Sequence, residues 1–396
     1  PMSGPLAGYR IIDVTQMLSG PMATMMLGDQ GADVIKIEPP GIGDLTRALG
    51  GKSRGLSPFF ATLNRNKRSV VLNLKDDKGV ELLKELVAGA DVFVQNFRPG
   101  AAERMGVSEE VLREVKPDLI YVSISGFGEK GPYIGKRVYD PVIQALSGLT
   151  DIQADPETHR PRMMRLIIPD KVTAITAAQA MTAALLARER TGKGQHVRLA
   201  MLDAVVSFLW HEGMAQYTFM GPDIGVARPA NTRELIFETT DGYITAAAVS
   251  DKEWQALVRA LDRPEWLEDK RFSTPAGRVK YADVRLEMTA EVLKERSSAE
   301  WLERLDAEQV PCAPVNRKED VLTDPQVLAN NLIVESEHPH AGKMRQARPA
   351  ARFEGTPSEL LRQPAPLLGE QTDAILTELG LSSQKLVELH AAGTIA

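Results

Sequence analysis

A single cysteine, Cys312, stands among 396 residues. An internal disulfide is thereby excluded, and the chain suits a reducing compartment. Long apolar runs are also missing. The longest, Val172 to Ala187, is broken by Thr173, Thr176, Gln179 and Thr182, and falls short of the roughly 20 residues needed to cross a bilayer. Pro1-Met2-Ser3-Gly4-Pro5 has no charged leader ahead of an apolar stretch. No secretory signal and no membrane association are expected, and the expected compartment is the cytoplasm. Nor is there an excess of positive charge: 47 basic against 53 acidic residues give −6, which argues against a nucleic-acid partner but leaves room for a local basic pocket. The six histidines are scattered, and only His338 and His340 lie close, with Pro339 between them, so no metal site is expected. No G-x-S-x-G elbow, repeat or low-complexity tract appears.

What is present reads as an α/β protein of more than one domain. Short apolar strands are expected at 9–14, 32–38, 69–74, 91–94 and 119–125, with helices at about 20–30 and 78–89 between them. Strands spaced by helices imply a parallel, Rossmann-like sheet covered on both faces. A long helix is expected from Asp170 to about Arg190, stopped by Gly192, then a strand at 195–199 and a helix at 201–216. The character changes around Gly221-Pro222 and Arg228-Pro229. Beyond it a smaller α+β unit, about 234–320, carries helices at 252–261 and 284–295. From Pro314 to Gln371 little regular pattern is visible.

Several motifs have a plain and a functional reading. Gly126-Phe127-Gly128-Glu129-Lys130-Gly131 matches G-x-G-x-x-G, but Pro132-Tyr133 and Gly135 follow and no helix starts. It reads as a glycine loop, and NAD is not expected. Gly192-Lys193-Gly194 closes a helix and reads as a turn. Asn64-Arg65-Asn66-Lys67-Arg68 and Lys136-Arg137 are read as solvated surface, although both sit near ends of expected strands, where α/β folds bind ligands. Asn96-Phe97-Arg98-Pro99-Gly100 also follows a strand. Phe97 could cover an adenine while Arg98 or Arg104 reaches phosphate. Asp170, ahead of its long helix, reads either as an N-cap or as a carboxylate placed for chemistry.

The chain resembles the class III CoA-transferases, the group that includes formyl-CoA transferase and carnitine CoA-transferase. The resemblance is carried by residues 31–38, 66–70, 96–100 and 126–128, Tyr139-Asp140 with 144–148, Asp170, 191–195, 368–372 and Leu379-Gly380. It implies CoA transfer from an acyl-CoA to a free carboxylic acid through an aspartyl anhydride and an aspartyl-CoA thioester on Asp170. Gln16, Tyr139 and Asp140 would support the chemistry. Met17, Leu72, Lys75, Asn96, Phe97, Arg98, Arg104 and Arg137 would contact CoA. CoA would be a substrate, with no tightly bound cofactor and no metal. The resemblance further implies a homodimer of interlocked rings. Residues 1–220 and 321–396 would form a large CoA-binding domain, and residues 221–320 a small one that shapes the acceptor pocket.

Departures bear on the substrate. Pro39 stands where formyl-CoA transferase is basic and Leu18 where it has glutamine, and its glycine-rich lid has no counterpart near 223–231. These argue against oxalate and formyl-CoA as the natural pair; the donor that the resemblance implies is succinyl-CoA. A 2-methylacyl-CoA racemase shares this fold but carries a His-Asp pair at the place of Tyr139-Asp140. Tyrosine, with a reference pKa of about 10 against about 6.5 for histidine, is a poor base for removing an α-proton. A non-catalytic CoA-binding protein, with Asp170 a helix cap, is the remaining alternative.

Overall fold

The computed structural model describes residues 3–221, 234–358 and 362–396. The change of character at Pro222 and Arg228-Pro229, and the comparison at 223–231, lie outside them. Two compact units are present, Pro1–Val226 with Leu332–Ala396, and Ala227–Asn331.

In the first unit, β1 (Arg10–Asp13), β2 (Asp33–Glu38), β3 (Lys67–Val71), β4 (Val92–Gln95), β5 (Ile120–Ser125) and β6 (Gln195–Ala200) form one sheet in the order β3-β2-β1-β4-β5-β6. All five pairings are parallel. Runs such as Ile11-Ile12 and Val92-Phe93-Val94 are buried, as a sheet covered on both faces requires. Their side chains alternate between two cores. Ile12, Ile35, Val70 and Phe93 pack with the helix Asp77–Ala88, while Ile11, Val34, Val92 and Val122 pack on the other face. There the alanines of the helix Ile168–Thr191 allow close approach to the sheet and to the helix Ser19–Asp29. The long helix ends where Gly192 adopts φ 68°. Gly194, just before β6, lies so close to Leu119 that a Cβ would sit 2.2 Å from its carbonyl oxygen.

The strand order reverses between β1 and β4. The loops leaving two adjacent strands there diverge, and ligands of open α/β sheets bind in that crevice.

The smaller unit holds an antiparallel sheet of β7 (Ile236–Glu238), β8 (Tyr243–Ala246) and β9 (Cys312–Pro314). Around it lie the helices Asp251–Leu261, Ala282–Leu293 and Ser298–Ala307, with Trp254, Trp266, Phe272 and Trp301 in its core.

Four expectations are corrected. The stretch expected to lack pattern contains an antiparallel ribbon, β10 (Ile333–His338) and β11 (Gly342–Ala347). The helix expected over 201–216 ends at Trp210 and gives way to turns. Asn64, Arg65, Asn66 and Lys67 are buried instead of solvated, because each charge meets a partner inside. Arg65 forms a two-pronged pair with Asp29, at 2.9 Å on each prong. Lys67 Nζ donates to Asp13, Asn64 and the Pro21 carbonyl. Finally, Asp170 is not the N-cap of its helix. That place is held by Ile167, without a capping side chain, and Asp170 lies in the first turn.

Candidate active site

The loop after β1 and the loop after β4 meet at the strand-order reversal. The Gln16 N–H donates to Asn96 Oδ1 at 3.1 Å, and Asn96 Nδ2 donates to the Gln16 carbonyl at 2.9 Å. One asparagine thus binds both peptide groups of Gln16 across the switch point. The next residue, Met17, adopts φ 69°. A left-handed conformation in a residue with a side chain costs about 1–3 kcal/mol and persists only where the surroundings enforce it. Enforcement is visible: Met17 N–H donates to Asp44 Oδ1 at 3.2 Å.

These loops open into a cleft of about 400 Å³. Gln16, Met17, Asn96, Phe97, Arg98, Arg137, Tyr139 and Asp170 all line it. Asp140 is buried beside it. Leu72 packs wholly in the core, Lys75 is exposed, and Arg104 stands exposed beside Gly100, so none of these three lines the cleft. The sequence reading had missed Leu45, Ile134 and Met201 as lining residues. All are apolar, and nothing in their local pattern separates them from ordinary packing. A larger hollow of about 680 Å³ shares Phe97, Arg98, Ser125 and Phe127 with the cleft and extends toward Ser123 and His196, away from Asp170. The Asp170 carboxylate lines the smaller space.

Asp170 owes its placement to a buried amide. Gln144 Nε2 donates to Asp140 Oδ1 at 2.7 Å and reaches the Met164 and Leu166 carbonyls, while Gln144 Oε1 accepts from Met164 N–H at 2.9 Å. This ties the segment entering the long helix to the helix Asp140–Leu146. Asp140 Oδ2 then accepts from the Asp170 N–H at 3.3 Å. Burial, and second the Asp140 carboxylate beside it, push Asp170 up to about 6. A carboxylate raised in this way inside a cleft is a functional-site signal. Replacing Gln144 by leucine should cost about 1–3 kcal/mol, because the buried Asp140 carboxylate loses the donor to its Oδ1. A thermal melt checks the stability, and turnover should fall with it as the segment before Asp170 loosens.

The glycine loop after β5 borders the same cleft. Gly126, Phe127 and Gly128 line it, no helix starts there, and the Gly128 N–H is held by Ser125 Oγ at 3.0 Å. Among the cleft's lining residues Arg98, Lys136 and Arg137 are basic and Asp170 alone is acidic. The space is therefore suited to a polyanion that presents an electrophile to one carboxylate. Among the described residues no group of three or more His, Cys, Asp or Glu side chains is arranged to hold a metal ion, and no helix is long and apolar enough to cross a membrane.

The chain belongs to CoA-transferase family III, whose sequence model matches residues 6–372. It is an enzyme of that class, acting on CoA thioesters. Human succinyl-CoA:glutarate CoA-transferase is 37% identical over 99% of this chain and 90% of its own length. The succinate–glutarate CoA-transferase of Agrobacterium fabrum is 35% identical, over 95% and 96%. Formyl-CoA:oxalate CoA-transferase of Streptomyces coelicolor is 34% identical, over 98% and 99%. Among solved structures, a CAIB/BAIF family protein from Brucella suis superposes with a TM-score of 0.82 at 32% identity, covering 95% of this chain and 100% of that one.

Proposed function

We propose that the enzyme moves CoA from succinyl-CoA to a short dicarboxylic acid such as glutarate, with Asp170 as covalent nucleophile. The observation that carries this reading is the Asp170 carboxylate, raised to about 6, facing a basic cleft at the strand-order reversal. An Asp170 oxygen attacks the thioester carbonyl and expels CoA thiolate, leaving a mixed anhydride. The thiolate attacks the Asp170 carbonyl carbon, releases the donor acid and forms an aspartyl-CoA thioester. The acceptor carboxylate attacks that thioester and again expels thiolate. Attack of the thiolate on the acceptor carbonyl frees Asp170 and the new acyl-CoA. One thioester replaces another, and covalent catalysis divides the exchange into easier steps.

In this reading Gln16, Tyr139 and Asp140 surround the acyl group, and Phe97 covers the adenine. Arg98 and Arg137 meet the CoA phosphates, with Met17 and Asn96 along the cofactor chain. Lys75 and Arg104 would be recruited only by the outer part of CoA, and Leu72 only through its backbone. The names of the human and Agrobacterium relatives support succinyl-CoA and glutarate, while Pro39 and Leu18 speak against oxalate, the acid in the Streptomyces relative's name. The resemblance also supports a homodimer of interlocked rings, with the large domain binding CoA and the small one shaping the acceptor pocket. The single cysteine supports a cytoplasmic site of action.

Mass spectrometry of protein mixed with succinyl-CoA, acid-quenched and peptide-mapped, should find CoA or succinyl attached to Asp170, and nothing on Asp170→Ala. An unmodified Asp170 in an enzyme that still turns over would overturn the covalent route.

The raised pKa of Asp170 sets a pH profile. The nucleophile is the carboxylate, so protonation removes activity. In the free enzyme kcat/KM should fall tenfold per pH unit below about 6, and be flat above it until another group titrates. A break near 4 would mean that neither burial nor Asp140 governs Asp170 in the working enzyme.

A further inference from the structure

The turn between β1 and its following helix is held at every backbone polar atom from Thr15 N–H to Met17 N–H. Asp13 Oδ1 accepts from the Thr15 N–H at 2.9 Å. Lys36 Nζ donates to the Thr15 carbonyl at 2.9 Å. Asn96 takes both groups of Gln16, and Asp44 takes the Met17 N–H. Two of these holders, Lys36 and Asp44, are themselves a fully buried ion pair with Nζ to Oδ2 at 2.8 Å. Asp44 is oriented further: its own N–H donates to Glu38 Oε2, and its Oδ1 also accepts from the Thr46 N–H and hydroxyl. Glu38 in turn is gripped by two nitrogens of Arg47 and by the Ser69 hydroxyl.

We propose that Lys36 and Asp44 are positioning residues of CoA transfer. The pair fixes the Thr15–Met17 turn, including the left-handed Met17, so that Gln16 and Met17 are in place before the acyl group arrives at Asp170. A buried ion pair is a weak device for stability, since desolvation offsets its attraction. Its strength lies in direction. Lys36 places a donor under one carbonyl, Asp44 places an acceptor over one N–H, and the two together define the turn between them. Without the pair, Met17 loses the contact that holds its N–H at φ 69° and Thr15 loses the donor on its carbonyl, and relaxation of Met17 would shift the Gln16–Met17 edge of the cleft. Lys36 itself faces Asp13 and Glu38 as well as Asp44, and these carboxylates offset its burial and keep it charged.

The inference rests on the cleft at Asp170 being the place of transfer, so the test carries Asp170→Ala as a separate control. Full transfer by that control would sink the site assignment, whatever the turn does. The probe reaction is succinyl-CoA with glutarate. Two double variants remove both charges: Lys36→Met/Asp44→Leu deletes the acceptor for Met17 N–H, and Lys36→Met/Asp44→Asn keeps an oxygen there. The first should lose on the order of 10²-fold in kcat, as expected for a misplaced catalytic edge, with KM for succinyl-CoA changed less than about threefold. The second should recover roughly a tenfold part of that loss at the same melting midpoint. Equal kcat in both variants, or losses that follow the melting midpoint alone, would overturn the proposal. If neither double variant folds, replacing Met17 with its α-hydroxy acid analogue deletes the N–H facing Asp44, and besides that only weakens the Gln16 carbonyl as an acceptor for Asn96 Nδ2. A fall in kcat on the order of fivefold with KM unchanged supports the positioning role, and wild-type kcat overturns it.

Discussion

Asp170→Asn should lower turnover by a factor on the order of 10⁴ or more while leaving the protein more stable, not less. The loss follows from chemistry: an amide oxygen cannot form the anhydride, and loss of a covalent nucleophile is among the largest single-residue effects known. The gain follows from the environment. Burial and Asp140 raise Asp170 to about 6, so the folded state disfavours its charged form relative to the unfolded chain, where the group titrates near 4. A raised carboxyl contributes its stabilisation in full below the unfolded value and loses it as pH climbs through the folded one. Above pH 6 the native enzyme therefore carries a strained charge that asparagine lacks. Partial exposure screens the effect, so a gain on the order of 1 kcal/mol is expected at pH 7, shrinking toward pH 4. Paired melts of the two proteins across that range, with kcat at each pH, test both halves. A variant that is less stable at pH 7 would mean that Asp170 has a partner favouring its charge.

Lys67→Met should destabilise the large unit by about 3–5 kcal/mol, because it strands the Asp13 carboxylate in the core. Asp13 is fully buried. Burial works to raise it, yet Lys67 first and Lys36 second, with the Thr15 and Thr24 hydroxyls, hold it well below the usual carboxylate range. A lowered carboxyl stabilises above its unfolded pKa, near 4, and loses that contribution as pH falls below it, so at neutral pH the whole contribution is at stake. The melting midpoint should drop by about 10 °C in a unit of this size. Lys67→Met/Asp13→Asn should regain most of it, since a pair removed together costs far less than a pair broken. A single variant with the stability of the double would mean that Lys36 alone neutralises Asp13.

The two residues behind these predictions show what can be read from sequence. The alternation of Ile11-Ile12, Val92-Phe93-Val94 and their helices reflects burial on both sheet faces, a local pattern, and the parallel sheet was legible from it. Lys67 was not. A run of alternating Asn, Arg and Lys has the composition of a wet surface, and only the arrival of Asp13 and Asp29 from elsewhere in the chain makes it interior. The hairpin of β10 and β11 was hidden for a related reason. Ile333-Val334-Glu335-Ser336-Glu337 and Gly342-Lys343-Met344-Arg345 carry polar groups on both faces, so no period-two apolar signal exists. Asp170 was marked by its context, but only the family resemblance favoured chemistry over a cap. From its neighbours it passes for a cap, and the third-position placement that frees its carboxylate depends on where Ile167 leaves the helix. Asp44, which lacks any local motif, became visible only with the Met17 dihedral.

The edge strand β3 is closed by residues made long after it. Its Ser69 N–H bonds to Gln371 and its Val71 N–H to Thr372, 302 and 301 positions later, and Leu72 bridges to Ile395. A ribosome emits the chain in order, so β3 waits with an open hydrogen-bonding edge while the whole of the smaller unit is synthesised and folds. During translation the exposed edge is a template for another strand, and neighbouring nascent chains on one message carry the same edge. Chaperone demand for this enzyme should therefore be set by elongation speed through residues 72 to 371, a segment remote in sequence from the strand it protects.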